Sequence, residues 1–248
     1  MRIGIFADIH GNLEAFQAVI EAYQKERIDR YICLGDVVGY GANPNECCEI
    51  VSSFAEKTII GNHDIASCGH FNIKWFNITA QKAILWTKQN LSEKNLEWLN
   101  RLPYTCQEDE VIFSHGLPHK PEKFYYDDDL ELIEDCYRQL GTSPCISFMG
   151  HTHRSIIFEV ENKGGKIRVD PQFKYTLKLK NKGKQYLLNV GSVGQPRDGD
   201  ARACYAIYDT EQQLVVIKRV EYNANLACLK IIDAGLPPVL GERLLLGI

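Results

Sequence analysis

Five times along this chain a short apolar run stops in a cluster of Asp, Asn, His and Gly. Arg2–Ala7 ends in Asp8-Ile9-His10-Gly11-Asn12, Tyr31–Leu34 in Gly35-Asp36-Val37-Val38-Gly39, and Thr58–Ile60 in Gly61-Asn62-His63-Asp64. Later runs end in Ser114-His115-Gly116 and Gly150-His151-Thr152-His153. Apolar runs of this length, bounded by glycine, read as buried strands. Ligands of open α/β sheets gather outside the carboxyl ends of strands, so five such ends can converge on one place. Five of the seven histidines lie in these clusters.

Between the strands of the first half lie helical patterns. Leu13, Phe16, Val19, Ile20 and Tyr23 fall at a period of about 3.6 residues. Asn43-Pro44 starts a helix towards Phe54, another spans Ile78–Gln89, and a third follows the cap Ser92 and ends before Pro103. The second half is strand-rich: Val111–Phe113, Ile146–Met149, Ile156–Val160, Lys166–Val169, Tyr186–Val190, Cys204–Tyr208 and Val215–Val220, with turns at Asn162–Gly165 and Asn181–Gly183. One helix, Leu130–Leu140, interrupts it after the acidic cap Asp127–Asp129. Asn225–Ile248 reads as a helix, a Pro-Pro break and a short apolar helix. With 248 residues, 45% of them hydrophobic, the chain is too short for two full domains. The expectation is an α/β fold of two packed sheets with helices outside, spanning residues 1–222, with a helical tail, 223–248, packed on it.

The charge balance excludes several classes. A net charge of −4 provides no global basic field to draw in nucleic acid or an anionic membrane. No apolar stretch reaches the ~18–20 residues of a membrane span, and the opening run is too short for a signal sequence. Nine cysteines without a CxxC pair read as reduced thiols, so the expected location is cytoplasmic. His70 and His119 read as loop residues outside the clusters. Phe71, Trp75 and Phe76 read as core before they read as a nucleobase platform, Tyr40, Tyr125 and Tyr126 as loop residues able to overhang the site. Lys174, Lys178, Lys180, Lys182 and Lys184 read as a solvated edge.

The clustered residue types suit a divalent ion, because mixed His, Asp and Asn sets hold Mn, Fe, Zn, Co or Ni. Asp8 and His10, two apart, share one face of an extended segment, and His151 and His153 repeat the geometry. One ion would leave half of each pair idle. Two ions use them all: Asp8, His10, Asp36 and His153 for the first, Asp36, Asn62, His115 and His151 for the second, with Asp36 bridging through its two oxygens. Two divalent ions against two carboxylates leave a surplus of two positive charges, which suits a phosphate anion.

In this order, DxHxN, GDxxG, GNHD, a later His before Gly, and GHTH resemble the motifs of the calcineurin-like metallophosphoesterase superfamily. Asn189-Val190-Gly191-Ser192-Val193-Gly194-Gln195-Pro196-Arg197 is similar to the closing segment of its small bacterial and archaeal phosphodiesterases. The family motifs assign the same seven ligands. Ser114, where many members carry Gly or another small residue, is a mild departure. The resemblance implies a four-layer α/β-β/α sandwich of two mixed sheets, the metallophosphoesterase fold, with two divalent metal ions at the sheet edges, manganese first.

It further implies hydrolysis of a small phosphate ester or nucleotide by a metal-bound water or hydroxide attacking in line. His63 would protonate the leaving oxygen or stabilise its charge, and Asp64 would accept the other ring N–H and fix the tautomer. Asn12 would orient substrate or the first loop, and Arg197 would hold a phosphate oxygen. The expected activity is phosphodiester hydrolysis. The alternatives are a phosphomonoesterase or phosphoprotein phosphatase, a dinucleoside polyphosphate hydrolase, and, against the full ligand set, a non-catalytic binding module.

Overall fold

Alternate residues of the first strand, β1 (Arg2–Phe6), face two different cores. Ile3, Ile5 and the following Ala7 pack with Ile32, Leu34, Phe148, Leu188 and Tyr208. Phe6, pointing the other way, meets Phe16 at 5.3 Å between ring centroids, in a cluster with Tyr23, Cys47, Val51 and Leu99. A strand buried on both faces is the middle of a layered structure, which is why it reads as continuously apolar rather than alternating.

The computed structural model describes residues 1–248 except positions 144, 164, 165, 173 and 180–182. The remaining strands are β2 (Arg30–Cys33), β3 (Lys57–Thr58), β4 (Thr105–Glu108), β5 (Val111–Ser114), β6 (Ile146–Met149), β7 (Ser155–Lys163), β8 (Lys166–Gln172), β9 (Thr176–Lys178), β10 (Lys184–Val190), β11 (Ala203–Asp209) and β12 (Leu214–Val220). Among the described residues they form two six-stranded sheets, ordered β3-β2-β1-β11-β12-β9 and β4-β5-β6-β10-β7-β8. Both are mixed: β1, β2 and β3 run parallel in one and β5, β6 and β10 in the other, flanked by antiparallel strands. The first core lies between the sheets.

The helices are α1 (Leu13–Gln24), α2 (Pro44–Phe54), α3 (Asn62–Ser67), α4 (Ile78–Asn90), α5 (Glu93–Asn100), α6 (Leu130–Leu140), α7 (Ala224–Asp233) and α8 (Val239–Glu242). Residues of α1, α2 and α5 cover the outer face of the first sheet, and α6 covers the second through Ile133, Cys136 and Tyr137. This is the four-layer sandwich. In the tail, Ala227, Ile231, Leu236, Leu240 and Leu244 cluster with Ala80 and Ala83 of α4 and with Tyr40. A Lys230–Glu14 ion pair ties α7 to α1, and Trp86 Nε1–H donates to the Ala234 carbonyl at 2.9 Å.

Three local details differ from the sequence expectation. The third strand is Lys57–Thr58, because Ile60 leaves the ladder to donate its N–H to Pro103. The edge strands β4 and β9 have no apolar alternation to announce them. Gly61-Asn62-His63-Asp64 opens α3 instead of forming a loop: Gly61 is the N-cap and Asp64, at the third position, accepts its N–H. The expected turns at Asn162–Gly165 and Asn181–Gly183 lie partly outside the described residues, as do Lys180 and Lys182 of the basic run. Lys184 pairs with Glu159 and Glu161. All nine cysteines are free thiols, and among the described residues no helix is long and apolar enough to cross a membrane.

Candidate metal centre

The strand ends turn sharply to bring their side chains together. Asp8 (φ 55°), His10 (φ 52°), Asp36 (φ 52°), His151 (φ 75°) and His153 (φ 60°) all adopt left-handed backbone. For residues other than glycine this costs about 1–3 kcal/mol each and persists only where the surroundings over-determine it. Glycine permits the close approach: a Cβ on Gly61 would fall 2.0 Å from Asp36 Oδ1, and one on Gly39 2.6 Å from His63 Nδ1.

All seven expected ligands are buried; six of them form two groups that share Asp36, and Asn62 joins the second group beside His115. In one half, His10 Nε2 lies 2.9 Å from His153 Nε2 and 3.6 Å from Asp36 Oδ2, and His153 Nε2 lies 3.4 Å from Asp8 Oδ1. In the other, His115 Nε2 lies 3.3 Å from Asp36 Oδ2 and 3.0 Å from Asn62 Oδ1, with His151 alongside. One oxygen of each carboxylate is held from behind: Asp8 Oδ2 accepts the His151 N–H at 2.9 Å and Asp36 Oδ1 the His63 N–H at 2.8 Å. Asp36 therefore presents Oδ2 alone to both halves, where two bridging oxygens were expected.

Three imidazoles are oriented through their outer nitrogens. Nδ1 of His10, His153 and His115 lies 3.1, 2.6 and 2.8 Å from the carbonyl oxygens of Val38, Gln195 and Leu34. A carbonyl only accepts, so each Nδ1 carries a proton and each ring turns Nε2 inward, as a bare lone pair where the ring is neutral, as in His10 and His153. Lone pairs of His10 and His153 then face each other beside carboxylate oxygens, while Asp8 Oδ1 and His151 Nε2 are buried with no hydrogen-bond partner among the described residues. Acceptors converging without donors fit divalent cations. The held Nδ1–H bonds are the outer contacts that metal-ligating histidines use.

The electrostatics agree. Burial holds His10, His151 and His153 below their ordinary range. Burial also lowers His115, but the charges of Asp36 and Asp8 outweigh it and hold its imidazole up at about 9. Burial would raise Asp36, yet His115, His63 and His10 keep it well below its usual value. A carboxylate pair that recruits a proton onto a buried imidazole is short of positive charge, and metal binding displaces such a proton.

The remaining expected residues divide. His63 stands in the pocket over the cluster, its ring 4.8 Å edge-on from His10 and 4.3 Å from Tyr40. Burial lowers its imidazole to about 4. Asp64 does not reach that ring; its Oδ1 accepts the Val38 N–H and its Oδ2 the Gly61 N–H, each at 3.0 Å, so it braces backbone rather than fixing the His63 tautomer. Burial and the nearby Asp36 charge push Asp64 up to about 7. Asn12 caps α1 through the Ala15 N–H and donates to the Gly194 carbonyl at 2.8 Å, tying the first loop to the glycine loop, with both ends of its amide engaged by protein. Arg197 lines the pocket, donates to Gln195 Oε1 at 2.9 Å and lies 5.6 Å from the Tyr40 ring centroid. His70 and His119 stay outside the cluster.

Of two further supports, sequence reasoning named Tyr126 only as a loop residue able to overhang the site and missed Asn189. Tyr126 stacks on His151 at 4.2 Å with planes 12° apart. Asn189 donates to Asp127, to the Gly150 carbonyl at 2.7 Å and to Thr152 Oγ1 at 2.8 Å, anchoring the loop that carries His151 and His153. Its place in the Asn189–Arg197 motif was the available signal.

Comparisons with known proteins accord with this geometry. Residues 1–213 match the model of the calcineurin-like phosphoesterase superfamily domain. An uncharacterised protein of Methanocaldococcus jannaschii is 39% identical over 253 residues, covering 99% of this chain and 98% of its own. The crystal structure of a metallophosphoesterase from Sphaerobacter thermophilus is 35% identical, covers 100% of this chain and 99% of its own, and superposes with a TM-score of 0.84. A hypothetical protein of Pyrococcus horikoshii, 20% identical, shares the fold over 100% of this chain and 98% of its own, with a TM-score of 0.77.

Proposed function

The chain belongs to the calcineurin-like phosphoesterase superfamily, and on that premise we propose that it hydrolyses phosphodiesters at a centre of two divalent ions, manganese being the first candidate. Metal-dependent phosphoester hydrolysis is the activity of the superfamily; the preference for diesters is the finer reading. The observation that carries it is that two further hollows border the pocket over the cluster. A groove of about 790 Å³ shares Tyr126 and Arg197 with it, and a cavity of about 260 Å³ shares Asn62, Trp75, Phe76, Tyr126 and His151. A phosphodiester has two substituents to accommodate, a monoester one.

Charge supports the same reading. Arg197 is the one cationic side chain lining the central pocket among the described residues. A monoester dianion asks for more neutralisation than a diester monoanion. When bound, the ions supply Lewis acidity and a nucleophile active near neutral pH. Asp8, His10, Asp36 and His153 would hold one ion, and Asp36, Asn62, His115 and His151 the other. His63, neutral at pH 7, offers a ring N–H to the leaving oxygen, and Arg197 holds a non-bridging oxygen. Arg154 and Lys174, which line the larger groove, favour a second reading, a pyrophosphate-bridged nucleotide.

The test is a pair of nitrophenyl esters, mono and bis, assayed with Mn²⁺ and with chelator. The bis ester should show the higher kcat/KM, and chelator should abolish both activities. A monoester preference of tenfold or more would make the protein a phosphomonoesterase, and comparable values would point to the pyrophosphate-bridged reading.

A further inference from the structure

The cavity on the Trp75 side has walls unlike the rest of the site. Its rings are Phe71, Trp75, Phe76, Phe124, Tyr125 and Tyr126, and Asn62 and His151 of the metal centre form its inner end. Trp75 is 80% exposed, on a short 3₁₀ turn (Ile73–Trp75) just before α4. It is a surface aromatic beside the reacting centre, where the sequence read it as core. Large apolar groups left in water in one patch mark a binding surface.

The other rings are held in place beneath it. Phe71 meets Phe76 at 5.9 Å and Phe124 at 5.5 Å, both edge-on. Phe124 takes a left-handed backbone (φ 50°), a strained conformation for a bulky residue. Phe76 also lies 4.9 Å from His63, so this wall stands on the side of the group proposed to face the leaving oxygen. Lys123 and Asp128 add polar atoms to the lining. Aromatic faces with a few polar groups suit a planar ring with a hydrogen-bonding edge.

We propose that this cavity is the subsite for the nucleobase of a nucleoside ester, so that the substrate is a nucleotide diester whose leaving nucleoside stacks on Trp75. The proposal rests on the phosphoesterase reading, since the phosphate must sit at the metal centre for a base to reach the wall. Trp75 sets specificity and takes no part in bond breaking. Stacking of a base on one aromatic ring is worth about a tenfold gain in affinity.

The experiment is equilibrium binding to the Mn²⁺-loaded protein, by calorimetry with tryptophan emission recorded alongside. Adenosine 5′-monophosphate and glycerol 3-phosphate are the probes, as monoesters of equal charge that differ in the ring. Adenosine monophosphate should bind about tenfold tighter and quench emission. Trp75→Ala should erase that preference and the quench, and Trp75→Phe should keep part of the preference. Equal affinities in the unaltered protein, or a preference that survives Trp75→Ala, would overturn the proposal while leaving the phosphoesterase reading standing. If neither phosphate binds, the nucleobase proposal falls, and the nitrophenyl ester assays decide the phosphoesterase reading on their own. Trp75 stands outside the packed cores, and circular dichroism of each variant checks that the fold is kept.

Discussion

The two halves of the metal cluster are built to different standards. The half around Asp8 has two carboxylates and two imidazoles, His10 and His153, each fixed at Nδ1 by a backbone carbonyl. The half around His115 shares the Asp36 oxygen, adds the neutral amide of Asn62, and uses His151, whose Nε2 has no hydrogen-bond partner among the described residues and whose ring is steadied by stacking on Tyr126. Affinity for a divalent ion follows ligand charge and the orientation supplied by outer contacts. The Asp8 half should therefore hold its ion the more tightly, and the His115 half should exchange.

The largest effect belongs to the residue the halves share. Asp36→Asn keeps the acceptor for the His63 N–H but removes the charge common to both, so both ions should be lost on dialysis. Activity should fall by more than the roughly 100-fold that loss of a supporting contact costs. Two ions per chain retained in this variant, measured by elemental analysis, would break the idea of a shared oxygen. His63→Ala separates its ring from its backbone. The backbone N–H that anchors Asp36 remains, so both ions should stay while kcat falls by about 10²–10⁴-fold. Metal loss as severe as in a ligand variant would show that the ring, too, supports the cluster.

A partial effect tests the inequality itself. His151→Ala should leave one tightly bound ion per chain, whereas His10→Ala should weaken the tighter half and leave little metal after the same dialysis. Stepwise chelation of the unaltered protein should plateau near one ion per chain. Loss of both ions in one step would make the halves equivalent.

The clustering of these side chains was legible in the sequence because each follows a strand end, and the pairs Asp8/His10 and His151/His153 announce themselves by spacing alone. Their orientation was not. The carbonyls of Leu34, Val38 and Gln195 select the tautomers, and any residue type supplies a carbonyl. The layers were legible for the same reason as the strands, while β4 and β9, polar edge strands, carry no periodic signal. Trp75 illustrates a third limit: an aromatic within four residues of two others reads as core, and only the turn on which it stands brings it to the surface.

The smallest expected effect concerns Asp64, which braces both halves at once. Its Oδ1 holds the N–H of Val38, whose carbonyl orients His10, and its Oδ2 holds the N–H of Gly61, which precedes the candidate ligand Asn62. Asp64 is fully buried. Asp64→Asn keeps one oxygen acceptor and turns an NH₂ towards the other backbone N–H. One buried donor is then unsatisfied, which costs about 1–3 kcal/mol, read as a lower midpoint in urea with an unchanged slope. Because either half can keep the remaining acceptor, metal stoichiometry should stay at that of the unaltered protein and kcat should change far less than in His63→Ala. If Asp64 instead fixed the His63 ring, the variant would match His63→Ala in kcat and cost little stability. The urea midpoint and kcat, measured on the same preparation, separate a brace shared by the two halves from a partner of one catalytic side chain.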